Sequence, residues 1–152
     1  MAVDSDILLA YWQEQRIQAR HSEEQRATLT NLILIISAAT LGFLSQWGWT
    51  LRSLALTIPL VFLGLYGAIA SAKLYERNLY HYEQAMAFSR LLSEATGVVD
   101  HEELLREVRR GFSANHPVMY WLRLYMLWIA LHAMIALLGL VLSVVLVVAH
   151  TR

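Results

Sequence analysis

Cysteine is absent from this chain, which excludes disulfides, thiolate chemistry and cysteine metal ligation, although the absence carries no information about redox compartment. Proline occurs twice, at positions 59 and 117, leaving long stretches with nothing to break a helix. Charge is thin as well. Asp, Glu, Lys and Arg make up 16% of the 152 residues, against about 25% in soluble domains. A basic excess is also lacking: 12 Lys and Arg stand against 12 Asp and Glu, so no nucleic-acid partner is expected. In place of charge the chain has apolar bulk, 57% of its residues, with a mean hydropathy of +0.44. The length is that of one domain, and the content is too apolar for an ordinary soluble one.

The positions of the charges sharpen this. Residues 27–51, 53–72 and 124–151 contain no Asp, Glu, Lys or Arg, giving runs of 25, 20 and 28 residues. A bilayer core needs about 20 apolar residues in helical form. The expected fold is therefore an all-α integral membrane protein with three transmembrane helices and helical cytosolic extensions. Its parts are an N-terminal cytosolic helix (1–28), a transmembrane hairpin (29–72), a cytosolic helical segment continuing from the second span (73–121) and a third transmembrane helix (122–149), together one folding unit. The alternatives are a two-span protein whose last segment packs in a soluble oligomer, and a first segment that is a signal sequence, against which stand the long polar stretch before Leu29 and the lack of a small-residue cleavage pattern after it. Only Arg52 and a few small or polar residues separate the first two apolar cores, so the hairpin must be tight. Ten of the 12 Lys and Arg residues lie in 1–28 and 73–123, leaving Arg52 and Arg152. The positive-inside rule then puts the N-terminus and residues 73–121 in the cytoplasm, and the hairpin and C-terminus outside.

The polar segments carry their own patterns. Asp4 and Ser5 are candidate caps for a helix that runs on into the first span. After Ala72, residues 73–96 again lack Pro and Gly. Leu74 or Tyr75, Leu79, Tyr82, Met86, Ser89 and Leu92 or Ser93 follow a seven-residue rhythm. Leu79, Tyr82 and Met86 are the candidate assembly face, packing either on the N-terminal helix of the same chain or between chains. Gly97 is placed to end this helix. Asp100, with Glu103, is placed to cap the next one. In that helix Leu104, Leu105 and Val108 form a small apolar face, and Arg106, Arg109 and Arg110 cluster near its end. The trio is either the inside flank of a membrane protein or a contact for anionic lipid head groups or a soluble anionic ligand. Phe112, Pro117, Tyr120 and Trp121 then return the chain to the membrane surface.

Within the spans, small residues are the packing signals: Ala38-x-x-x-Gly42, Gly64-x-x-x-Ala68-x-x-x-Ala72 and Gly67-x-x-x-Ser71. Pro59 is either a tolerated entrance proline or a bend. His132 lies about nine residues inside the third run, with Trp128 and Ala136 at helical spacing, and an ionisable group there needs a partner or water. It is a neutral histidine bonded to a neighbouring helix, a pore-lining or proton-sensitive position, or a ligand to metal or haem. Ser37, Thr40, Ser45, Gln46, Thr57 and Ser143 are too mild to mark a conduction path.

Catalytic constellations are scarce. His21 with Glu24, and His81 with Glu83, do not make an H-E-x-x-H motif, and there is no phosphate loop, G-x-S-x-G elbow or dinucleotide fingerprint. His101-Glu102-Glu103 reads as first-turn charge at a helix start. Tyr75, Glu76, Tyr80, His81 and Tyr82 are dense enough to line a small pocket, yet they equally suit a membrane–water boundary. A protein that is not an enzyme, with no cofactor and no metal, is expected.

The R-x-x-x-R-H of Arg16 to His21, the hairpin at 47–52 and Tyr75-Glu76-Arg77 with the helix to Leu92 together resemble the bacterial SLATT domains. These are two-span effector modules found beside nucleotide-sensing or nucleotide-synthesising defence genes. The resemblance covers residues 6–96, roughly 60% of the chain, and rests on layout; the third span departs from the simplest family pattern. It implies an oligomeric inner-membrane effector that permeabilises or disrupts the membrane on a cytosolic signal in antiviral defence. Its partners would be membrane lipid, further copies of itself, and a soluble nucleotide signal or a membrane-protein partner. The alternatives are an accessory or structural subunit of a membrane complex, and a small channel or transporter.

Overall fold

The structure is a computed structural model that describes residues 4–97, 101–115 and 123–151, without the side chains of residues 101, 102 and 104. Four helices make up nearly all of it: α1 (Ser5–Trp47), α2 (Leu54–Thr96), α3 (His101–Asn115) and α4 (Leu124–Thr151). The chain is thus all-α, and three of its long apolar helices, α1, α2 and α4, are long enough to cross a membrane. Asp100, the expected cap facing Glu103, the surface return at Pro117, Tyr120 and Trp121, Arg152 and the side chain of Leu104 lie outside the described residues.

Local chemistry sets the helix ends. Asp4 accepts a hydrogen bond from the Asp6 amide through its carboxylate (3.0 Å), and its carbonyl accepts from Leu8 (3.2 Å), so Asp4 is the N-cap of α1. Helix α1 then runs 43 residues to Trp47 and stops because Gly48 adopts φ 75°, a left-handed conformation that favours glycine. The hairpin closes within a few residues. The Ser53 amide donates to the Thr50 carbonyl (2.9 Å), and the buried Ser53 hydroxyl donates to the Gly48 carbonyl (2.8 Å). Helix α2 continues through Pro59 for another 43 residues. It ends at Gly97, whose φ is 67° and whose amide donates to the Ser93 carbonyl (3.0 Å).

The chain divides into two compact units. The polar unit comprises Met1–Glu24 and Leu74–Arg123; the apolar unit comprises Gln25–Lys73 and Leu124–Arg152. In the polar unit α1 and α2 pair antiparallel. Tyr11 stacks on Phe88 (5.4 Å between centroids), Gln15 Oε1 meets His81 Nδ1 (2.7 Å), and the Asn78 amide donates to the Ala19 carbonyl (2.8 Å). Leu8, Ala19, Ser22 and Ala85 are buried along this seam.

The apolar unit is arranged in the opposite sense to a water-soluble bundle. Ile35, Phe62, Ile69 and Met134 are 66–67% exposed, whereas Thr30, Thr57, Ser71 and His132 are buried. Its apolar core is small: Ile33, Leu60 and Ile135, flanked by Leu29, Leu41 and Leu63. Large apolar residues outside and small polar residues at the helix contacts are what a hydrocarbon solvent selects, since every polar group must find its partner inside the protein.

Candidate functional site

Two side-chain constellations stand out, one in each unit. In the apolar unit, α2 and α4 meet through glycine. A Cβ on Gly64 would fall 2.7 Å from the His132 carbonyl oxygen and closer still to the Ala136 amide nitrogen. A Cβ on Gly67 would meet the His132 ring (2.5 Å to Nδ1), and one on Gly139 would lie 2.9 Å from the Val61 amide. Below these contacts the Ser143 hydroxyl lies 2.7 Å from that of Thr57. The backbones approach this closely only because side chains are missing at the contact points.

His132 sits where this seam meets α1. Its Nε2 is 3.1 Å from Thr30 Oγ1, and the same hydroxyl donates to the Arg26 carbonyl at 2.9 Å. A threonine hydroxyl has one proton. With that proton given to Arg26, Nε2 must carry the hydrogen and donate to Thr30, leaving Nδ1 as an acceptor. Nδ1 faces Gly67 and is buried without a hydrogen-bond partner among the described residues. One turn earlier on both helices, the buried Arg26 places its guanidinium over the Trp128 ring at 5.8 Å. The pairs Arg26/Trp128 and Thr30/His132 make α1 and α4 parallel neighbours.

In the polar unit a groove of about 560 Å³ is lined by Tyr82, Glu83, Met86 and Arg90 of α2 and by Leu105, Arg106 and Arg109 of α3. Arg16 of α1 approaches the Tyr82 ring (5.9 Å). The i, i+4 spacing of Tyr82, Met86 and Arg90 puts them along one face of α2, and Leu105 and Arg109 do the same on α3. Among the described residues no three His, Cys, Asp or Glu side chains come together in a metal-binding group.

The sequence-predicted residues distribute as follows. Gly64, Gly67 and the buried Ser71 lie on the inner side of α2, and Ala68 is partly buried there. Ala38 and Gly42 are exposed, and nothing lies within 4 Å of a Cβ on Gly42. Tyr82 and Met86 join Arg106 and Arg109 at the groove, whereas Leu79 is 42% exposed and Arg110 is exposed and does not line the groove. His132 has the interhelical hydrogen bond that one of its three readings calls for.

Residues that pattern reasoning missed include Thr30, Arg26, Arg90, Gly139, Gly48 and the Asn78–Ala85–Phe88 face. A local signal existed for Gly48, a lone glycine between two tryptophans at the end of an apolar run, and for Gly139, which lies seven residues after His132.

These features define a multi-helix protein with apolar helices of membrane-spanning length and an arginine-lined groove in its polar unit. Compared with protein-family models, with curated proteins and with solved structures, the chain matches none.

Proposed function

We propose that the chain is an inner-membrane effector that self-associates and permeabilises or disrupts the bilayer when a signal reaches its polar unit, as the likeness to SLATT modules of antiviral defence implies. The observation that carries this reading is helix continuity. Both α1 and α2 run 43 residues without interruption and contribute to the polar unit and the apolar unit alike. A change of packing at Tyr82 or Met86 therefore has a helical path to Gly67 and Gly64. Self-association is part of the proposal because Ile33, Leu60 and Ile135 fill the centre of the single bundle. We assign the chain no catalytic step.

The test uses the full-length protein. Its size in detergent and nanodiscs is measured alongside dye release from liposomes, with and without anionic candidate signals. The reading expects a multimer and signal-dependent release. A monomer with tight liposomes under every signal sinks it, and co-purification with another membrane protein in place of self-association transfers the chain to the accessory-subunit class.

A further inference from the structure

We infer that the groove between α2 and α3 is a binding site for a phosphate-bearing group, held by Arg90, Arg106 and Arg109 with Tyr82, Met86 and Leu105 against its less polar part. Among the described residues that line the cavity are three guanidinium groups, with the Glu83 carboxylate beside them. Arg106 and Arg109 are three residues apart on α3 and Arg90 comes from α2, so the charges approach from two helices instead of being spread along one. Guanidinium is planar, stays charged at all accessible pH values, and offers paired N–H donors that fit two oxygens of a phosphate at once. Arg16 of α1 lies over the ring of Tyr82, 5.9 Å from its centroid, so a further cation neighbours this lining residue.

The volume of about 560 Å³ lies within the range of small-molecule sites, about 300–1,000 Å³. A bare phosphate would leave much of it unfilled. Tyr82, Met86 and Leu105 supply the surface that an organic portion needs, and Glu83 can accept a hydrogen bond from a hydroxyl or amine on the same molecule. The chemistry is therefore a phosphomonoester or diphosphate with an organic body, from either a soluble phosphorylated metabolite or an anionic phospholipid head group. That this occupant is the effector's signal rests on the proposed function; the binding itself does not.

The experiment takes full-length protein in phosphatidylcholine nanodiscs and titrates it with pyrophosphate by calorimetry. A second arm compares nanodiscs of pure phosphatidylcholine with nanodiscs containing phosphatidylglycerol, reading thermal stability. Saturable pyrophosphate binding in neutral nanodiscs identifies a soluble source. Stabilisation by phosphatidylglycerol alone identifies the lipid source. In whichever arm responds, Arg106→Gln/Arg109→Gln should weaken the response at least tenfold, while Arg110→Gln, which alters an exposed arginine outside the groove, should leave it within twofold. Circular dichroism of each variant confirms that the helices persist. No response in either arm, or an equal loss in Arg110→Gln, overturns the inference. Dye release is not the readout, so failure here leaves the effector reading standing, and failure of that reading leaves the site standing.

Discussion

At the residue scale the apolar unit sets two kinds of helix contact against each other, close backbone approach at glycine and the His132–Thr30 hydrogen bond. Interhelical hydrogen bonds in membranes contribute about 0.6 kcal/mol on average, because the separated helices also find partners. Overpacking a tight contact costs about 1–3 kcal/mol. The glycines should therefore matter more than the histidine bond. Gly64→Ala, whose Cβ meets the backbone of Ala136 and His132, should cost about 3 kcal/mol, since backbone cannot rotate aside. Gly67→Ala meets the His132 ring and the Ile33 terminal methyl, which can shift, and should cost about 1–2 kcal/mol. Gly42→Ala, facing open space, should be neutral for the single chain. Unfolding in detergent orders the three variants, and equal losses at 42 and 64 would refute the seam. Thr30→Val removes the acceptor for Nε2–H and should cost about 1 kcal/mol, with Thr30→Ser retaining most of it. A neutral Thr30→Val would show that Nε2 does not donate there.

At the scale of elements, what was legible is what is local. Three charge-free runs fixed the number of long apolar helices, the lack of proline and glycine in 73–96 kept α2 continuous, and Gly97 marked its end. Helix faces were harder to read. The seven-residue rhythm selected Leu79, Tyr82 and Met86, but the side of α2 set against α1 centres on Ala85, with Asn78, His81 and Phe88 around it. In this unit α2 has both α1 and α3 as neighbours, so apolar residues fall on more than one of its sides and a single repeat does not say which partner each faces. Polar contacts such as Asn78 to the Ala19 carbonyl leave no hydrophobic signature at all. The partner of His132 was equally hidden, because Thr30 is 102 residues away in sequence. The two faces can be separated experimentally. Ala85→Leu should loosen the α1–α2 pair by about 1–3 kcal/mol, raising amide hydrogen exchange in residues 8–22 and 78–88. Leu79→Ala should change stability by less than about 0.5 kcal/mol. If Leu79→Ala alone dissociates a multimer while leaving that exchange unchanged, its side chain serves contacts between chains.

For the whole molecule, we propose a direction across the membrane from two observations of different origin. Within the apolar unit α1 and α4 are parallel, with Arg26 beside Trp128 and Thr30 beside His132, and α2 is antiparallel to α4, with Gly67 at His132, Gly64 at Ala136 and Val61 at Gly139. The hairpin and the C-terminal end of α4 therefore share one end of that unit, where Trp47, Thr50, Leu51, Arg52 and His150 line a common groove. Ten of the 12 basic residues lie in 1–28 and 73–123, away from the hairpin and the C-terminal residue in sequence. Each Lys or Arg near an anionic leaflet contributes on the order of 1 kcal/mol, so Arg52 and Arg152 cannot offset the other ten. A periplasmic reporter such as alkaline phosphatase should be active when fused after residue 152 or inserted at residue 49, and inactive when inserted at residue 98. A fluorescent reporter that matures only in the cytoplasm should give the reverse pattern, and Arg52→Ala should leave both patterns unchanged. The fusion after residue 152 is the most informative of these. If it reports the same side as residue 98 while the insertion at 49 reports the opposite side, α4 does not cross the bilayer, and His132 has to be explained as part of a re-entrant or peripheral helix instead of a transmembrane one.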